Sequence, residues 1–220
     1  MGILSDKVRF KAIIFDLDGV LCHTDKYHYE AWKQIADSLK IPFDEQVNNR
    51  LRGVGRMDSL EIILEKYPGT LSTAEKISLA ESKNASYREL LSQMTPADIS
   101  EDVLETLSQL RAKGLLLAIG SSSKNAPMIL ERTGLTGWLD AVSDGNNITK
   151  SKPDPEVFLC AARYLGVEPG ACLVVEDAES GVLAAHNAGM KCAAIGDAAN
   201  CGLAEYTLSR LSDLILLLLA

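Results

Sequence analysis

The chain has 220 residues, 47 % of them apolar and 24 % charged, with a formal net charge of -8. That length allows one large domain or two modest ones, and the apolar share supports a sizeable buried core. An acidic chain repels a phosphate backbone at long range, so no nucleic acid partner is expected; a small anion held by local Lys and Arg remains compatible.

Met1 to Phe10 carries no long apolar stretch, so no signal peptide is expected. Residues 11–15, Lys-Ala-Ile-Ile-Phe, form a short apolar run that stops at Asp16, the pattern of a strand buried on both faces. From Asp25 to Lys40, His28, Ala31, Trp32, Ile35, Ala36 and Leu39 recur at helical spacing, and Pro42 follows. Met57 to Tyr67 reads as another helix, stopped by Pro68 and Gly69. Ser72 and Glu75 make a capping box for a long helix to Met94, which Thr95 and Pro96 break. The first strand is thus followed by about 70 residues of helical pattern, too long for one crossover and too short for a typical independent domain. A helical cap at residues 24–95, inserted into a core made of residues 1–23 and 96–220, accounts for this.

After Pro96 the rhythm alternates. Helices are expected from Ser100 to Lys113, Asn125 to Thr133, Asp154-Pro155 to Leu165, and Glu179 to Ala188, each closed by a glycine: Gly114, Gly134, Gly166 and Gly189. Between them run Leu115 to Ile119, a weak strand at Asp140 to Ser143, Cys172 to Val175, and Lys191 to Ile195. The alternation predicts an α/β fold: a doubly wound parallel sheet, Rossmann-like, with the α-helical cap inserted. The apolar run from Leu214 to Leu219 is far shorter than the roughly 20 residues of a membrane span. It reads as a terminal helix or strand docked on the core, so no membrane association is expected.

Ligands of an open parallel sheet bind outside the carboxyl ends of its strands. Asp16 and Asp18 follow the first run, Gly120-Ser121-Ser122-Ser123 the second, Lys152 comes soon after the third, and Glu176-Asp177 follow the fourth. Four carboxylates brought together repel unless a cation lies among them, and an oxygen-rich set suits Mg²⁺ shared with a substrate phosphate. Lys152 adds a second positive charge, and the serine loop ahead of a helix adds N–H and hydroxyl donors. Of two carboxylates on one face of an extended segment, one can attack phosphorus while the other handles a proton. Each signal alone has a plainer reading. Asp177 reads as a helix N-cap, the serines as an ordinary loop, and Lys152 as a solvated turn residue. D-x-D-G also opens calcium loops, but the later EF-hand ligands are missing. Their joint placement at strand ends is what points to phosphate chemistry.

These residues resemble the four motifs of the haloacid dehalogenase-like superfamily: Asp16-Leu17-Asp18-Gly19-Val20, Ser121, Lys152 within Ser-Lys-Pro-Asp-Pro, and Glu176-Asp177. The resemblance implies Asp16 as nucleophile, Asp18 as general acid/base, and Ser121 and Lys152 as phosphate ligands. It also implies Mg²⁺ held by Asp16, the Asp18 carbonyl oxygen and Asp177, with Glu176 in support. Superfamily members that attack carbon need no proton donor at the second Asp position, so Asp18 points to phosphoryl transfer.

The chain is more narrowly similar to the β-phosphoglucomutase family. The similarity lies in Thr24, His28 and Trp32, in Leu51-Arg52-Gly53-Val54-Gly55-Arg56, Asp58-Ser59-Leu60 and Lys83-Asn84, and in Ser121-Ser122-Ser123-Lys124-Asn125 and Ser151-Lys152-Pro153. This implies substrate or phosphate contacts from Thr24, His28, Trp32, Arg52, Gly53, Arg56, Ser59, Lys83, Ser121, Ser122, Ser123, Lys124, Asn125 and Lys152. Arg52 stands where that family usually has Lys, Gly55 where Ser is common, and His23 where an Asp precedes the Thr. Without the resemblance, His28 and Trp32, one turn apart, read as packing between helices, and Arg52 and Arg56 as a solvated helix end. The expected function is a sugar-phosphate mutase interconverting β-glucose 1-phosphate and glucose 6-phosphate, with a sugar-phosphate phosphatase as the alternative. The five cysteines form no C-x-x-C pair, which fits a reducing cytoplasmic setting, and a monomer is expected.

Overall fold

The computed structural model describes residues 10–51 and 54–219. The first strand, β1 (Ala12–Phe15), leads into four helices: α1 (Asp25–Ser38), α2 (Glu45–Asn49), α3 (Arg56–Leu64) and α4 (Thr73–Leu91). Then come α5 (Glu101–Ala112), β2 (Leu116–Gly120), α6 (Ala126–Thr133), β3 (Ala141–Ser143), α7 (Glu156–Leu165), β4 (Cys172–Glu176), α8 (Glu179–Asn187), β5 (Lys191–Ala194), β6 (Tyr206–Thr207) and α9 (Asp213–Leu217). The strands form one sheet in the order β3-β2-β1-β4-β5-β6, every pair parallel. The order reverses beside β1, which pairs with β2 on one side and β4 on the other. That reversal opens the crevice where ligands of such sheets bind.

The strands are apolar throughout because both faces of the sheet are covered. Ile13, Phe15, Leu117, Ile119, Leu173 and Val175 pack with Leu107 and Leu110 of α5, Ile129 and Leu130 of α6 and Leu214 of α9. The alternate residues Ala12, Ile14, Ala118, Cys172 and Val174 pack with Val157, Phe158 and Ala161 of α7 and Val182 and Ala185 of α8. A third hydrophobic cluster lies wholly within the inserted helices and the loops between them, around Trp32, Ile35, Phe43, Leu60, Ile63 and Ala80.

Local chemistry explains the helix ends. The Ser72–Glu75 capping box forms at the start of α4. The four glycines expected to follow helices all have positive φ. Helix α1 stops two residues before the expected Lys40, which turns left-handed at φ 58 while the Ile41 N–H returns to the Ala36 carbonyl. Helices α2 and α3 also differ from expectation. The five-residue α2, capped by Asp44, carries no readable period, and α3 ends at Leu64 where Tyr67 N–H bonds the Leu64 carbonyl. The terminal apolar run forms α9 and docks through Leu214, while Leu216 and Leu219 stay 67 % and 66 % exposed. Among the described residues no helix is long and apolar enough to cross a membrane.

Candidate active site

A cleft of about 570 Å³ lies between the carboxyl edge of the sheet and the inserted helices. Its core wall holds Asp16, Asp18, Ser121, Ser122, Ser123, Lys124, Asn125, Lys152, Glu176 and Asp177; its other wall holds His28, Trp32, Arg56, Ser59 and Lys83. Thr24 is fully buried behind the cleft. Arg52 and Gly53 lie outside the described residues.

Asp16 follows β1 directly, its N–H bonded to the Val175 carbonyl of β4. The Lys152 ammonium bridges Asp16 Oδ1 and Glu176 Oε1, and all three residues are buried, at 7 %, 8 % and 1 % exposure. Burial alone would discharge Lys152, but the two carboxylates overcome it and hold its pKa above the ordinary value. Lys152 is therefore a fixed buried cation, not a solvated turn residue. Its ammonium also lies over the Phe158 ring. The Glu176 carboxylate is wedged against α8, accepting from the Ala178 N–H, and any Cβ at Gly181 would collide with it.

Asp177 does not cap α8. The N-cap is Ala178, without a side-chain cap bond. Asp177 instead presses its carboxylate on Gly19, at φ 90, where a Cβ would overlap it. Burial, and then Asp16, Glu176 and Asp18 in that order, push its pKa up to about 8. A divalent cation among these groups would reverse that push. Among the described residues no three His, Cys, Asp or Glu side chains stand ready as a metal cage. Mg²⁺ rarely asks for one, since it keeps waters and takes one or two carboxylates plus substrate phosphate. Asp16 and Asp177, with the backbone at Asp18-Gly19 beside them, supply a donor set of that kind.

Asp18 is reached by a turn after β1 and not by the strand pleat, in a lone bridge with Cys22. Its carboxylate accepts from the Thr24 N–H at 2.7 Å and from the Thr24 hydroxyl. Burial raises its pKa to about 7 against those two bonds. The Thr24 hydroxyl also meets the Tyr87 hydroxyl at 2.9 Å, tying α4 to this carboxylate.

Opposite, Lys83 is buried at 3 % exposure, over the Trp32 and Tyr87 rings, with its ammonium 2.9 Å from His28 Nδ1. Burial and then Arg56 lower its pKa to about 7. His28 is held well below its ordinary value by burial, Lys83 and Arg56, so it stays neutral. When Lys83 is charged it can only donate, so Nδ1 accepts and the His28 proton sits on Nε2, which faces Asp18 Oδ2 at 3.7 Å. Trp32 packs in the insert cluster and lines the cleft as well. Arg56 opens α3 behind Gly55.

In the serine loop, Ser121 Oγ accepts from Ser123 N–H and Ser122 Oγ from Lys152 N–H, so the hydroxyls shape the loop as well as facing the cleft. Tyr87, Asn84 and Glu81 also line the cleft and were not singled out as site residues. Tyr87 lies one turn after Lys83, a spacing that could have revealed it.

A family model for haloacid dehalogenase-like hydrolases matches residues 10–189, and the chain belongs to that family. It is an enzyme fold of phosphomutases and phosphatases. The β-phosphoglucomutase of Bacillus subtilis is 41 % identical over 215 residues, covering 95 % of this chain and 93 % of that protein. The phosphorylated carbohydrates phosphatase of Thermotoga maritima is 32 % identical, covering 82 % of each chain. Among solved structures, a β-phosphoglucomutase from Clostridium difficile superposes with a TM-score of 0.86 at 34 % identity, covering 93 % of both chains.

Proposed function

We propose that the protein is a β-phosphoglucomutase, with residues 1–23 and 96–220 as catalytic core and 24–95 as a mobile cap. The observation that carries this reading is a cleft with cations on both walls: Lys152 on the core side, Arg56 and Lys83 on the cap side. Two such poles suit a sugar phosphorylated at both ends, whereas a monophosphate needs one. The relatives that are β-phosphoglucomutases support the same reading.

Asp16 is the nucleophile. Lys152 engages Oδ1, which leaves Oδ2 to attack phosphorus and form an aspartyl phosphate. Asp18, poised near neutrality, gives a proton to the departing sugar oxygen and takes one from the returning hydroxyl. Two carboxylates in different surroundings thus take different roles. Mg²⁺, bound by Asp16, Asp177 and the Asp18 carbonyl with Glu176 in support, would neutralise phosphoryl oxygens. Ser121 and Lys152 hold the transferring phosphoryl. Arg56, Arg52 and Ser59 with Gly53, and Ser122, Ser123, Lys124 and Asn125, hold the far end of the sugar. Thr24, His28, Trp32 and Lys83 couple that grip to Asp18.

The test is a mixture of β-glucose 1-phosphate, Mg²⁺ and a trace of glucose 1,6-bisphosphate. Glucose 6-phosphate as main product supports the mutase. Inorganic phosphate as main product refutes it in favour of a sugar-phosphate phosphatase, the activity that the 32 % identical Thermotoga maritima relative is named for.

A further inference from the structure

Asn125 stands at the N-cap of α6, where an Asn side chain ordinarily accepts from the first-turn amides of its own helix. Here it makes no such bond. Its Nδ2 donates to Asn84 Oδ1 at 3.0 Å. Asn84 belongs to α4 and Asn125 to the loop after β2, so this bond crosses from the inserted helices to the core, and both residues line the cleft. Helix α4 is rooted in the core through Tyr87 and Leu91. Asn84 lies one turn beyond that root, beside Lys83.

We propose that Asn84 is a positioning residue that fastens the cap to the phosphate loop, so that the Asn84–Asn125 amide pair governs how long water is kept from phosphorylated Asp16. This rests on the covalent mechanism above. Two properties suit the pair to the task. It is neutral, so it does not compete with a phosphate for Arg56 or Lys152, as a carboxylate clasp would. It is also a single amide–amide bond, weak enough to open on every turnover yet able to shift a closing equilibrium by roughly three- to tenfold. The first turn of α6 asks little of Asn125 as a cap, since the Ala126 N–H bonds the Ser123 carbonyl and Pro127 has no N–H, so its side chain is left for the clasp.

The chemistry that reports on the clasp is simple. Asp16 Oδ2 attacks the phosphorus of acetyl phosphate, the P–O bond to acetate breaks, and acetate leaves. Later a water oxygen attacks the same phosphorus, the bond to Asp16 breaks, and phosphate and a proton are released with the carboxylate regenerated. Shielding slows the second step.

The experiment labels the full-length enzyme with ³²P-acetyl phosphate in Mg²⁺, removes the donor and follows loss of label. Asn84→Ala is expected to shorten the lifetime of the label about three- to tenfold. The Asn84→Ala/Asn125→Ala double variant should lose label no faster than Asn125→Ala, because the bond is already gone; a merely structural role would give effects that multiply. If the alanine variant fails to fold, Asn84→Ser takes its place. A lifetime within twofold of wild type, or multiplying effects, overturns the clasp alone. A wild-type enzyme that takes up no label overturns the covalent mechanism, and this proposal with it.

Discussion

Asp177→Asn isolates the electrostatic cost of the site. The amide keeps the shape that fits over Gly19 and removes one charge from the carboxylate cluster. In the folded protein Asp177 is raised from 3.8 to about 8, by burial first and then by its acidic neighbours. A group whose folded pKa is raised stabilises the fold below its unfolded pKa and loses that contribution as pH climbs to the folded value. The relevant window is therefore about pH 4 to 8. Each pH unit across it is worth about 1.4 kcal/mol, a ceiling of about 6 kcal/mol above pH 8. Asp177 is partly exposed, so screening reduces this to about 3 kcal/mol at pH 8.5 and about 1 kcal/mol at pH 5.5. For a chain of this size each kcal/mol moves Tm by about 2–4 °C. Thermal unfolding in EDTA should thus show the variant ahead by about 6–12 °C at pH 8.5 and by about 2–4 °C at pH 5.5. Adding Mg²⁺ should raise the wild-type Tm and leave the variant nearly still. A gap that does not change with pH, or a wild type more stable at pH 8.5 in EDTA, would refute the reasoning.

Asp18→Asn should lower kcat by about 10²–10⁴-fold with sugar phosphates and far less with an aryl phosphate whose leaving group needs no proton. In wild type, the step that needs protonated Asp18 should weaken as pH rises through about 7, visible as a falling limb in kcat against pH. Arg56→Ala should cut mutase flux severely while sparing hydrolysis of a small monophosphate, which has no second phosphate to hold; equal damage to both would assign Arg56 to the fold. Thr106→Val should stabilise by about 1 kcal/mol in urea unfolding, because the buried Thr106 hydroxyl has no hydrogen-bond partner among the described residues.

The strand-end residues were legible because a sheet covered on both faces writes its strands as apolar runs, and chemistry can only begin where a run stops. Asp16, Glu176 and Asp177 follow from that rule alone. Their partnerships do not. Lys152 meets a carboxylate 136 positions away and another 24 away, and the Thr24–Tyr87 contact spans 63 positions. Such pairings are set by how helices pack, and no local period encodes them. Helix α4 hides its role further, since its buried stripe of Ala80, Lys83, Tyr87 and Leu91 includes a lysine, a residue that sequence patterns place in solvent. The two-residue β6 is too short to carry any pattern. The plainer readings of Lys152 and Asp177 fail for one reason: each sits among charges that lie near it only in three dimensions.

The separation of the hydrophobic clusters bears on how the chain is made. Everything around Trp32, Phe43, Leu60 and Ala80 has emerged once α4 is synthesised. Strand β1 precedes all of it, yet its partners Leu116–Ile119 and Cys172–Val175 come much later. At about 5–20 residues per second, β1 waits on the order of ten seconds for β4 while the inserted helices can already pack. A ribosome-stalled chain ending shortly after Thr133 should therefore carry a protease-resistant insert on an unprotected core. Until Cys172–Val175 has emerged, β1 keeps one edge exposed to chaperones and to other chains.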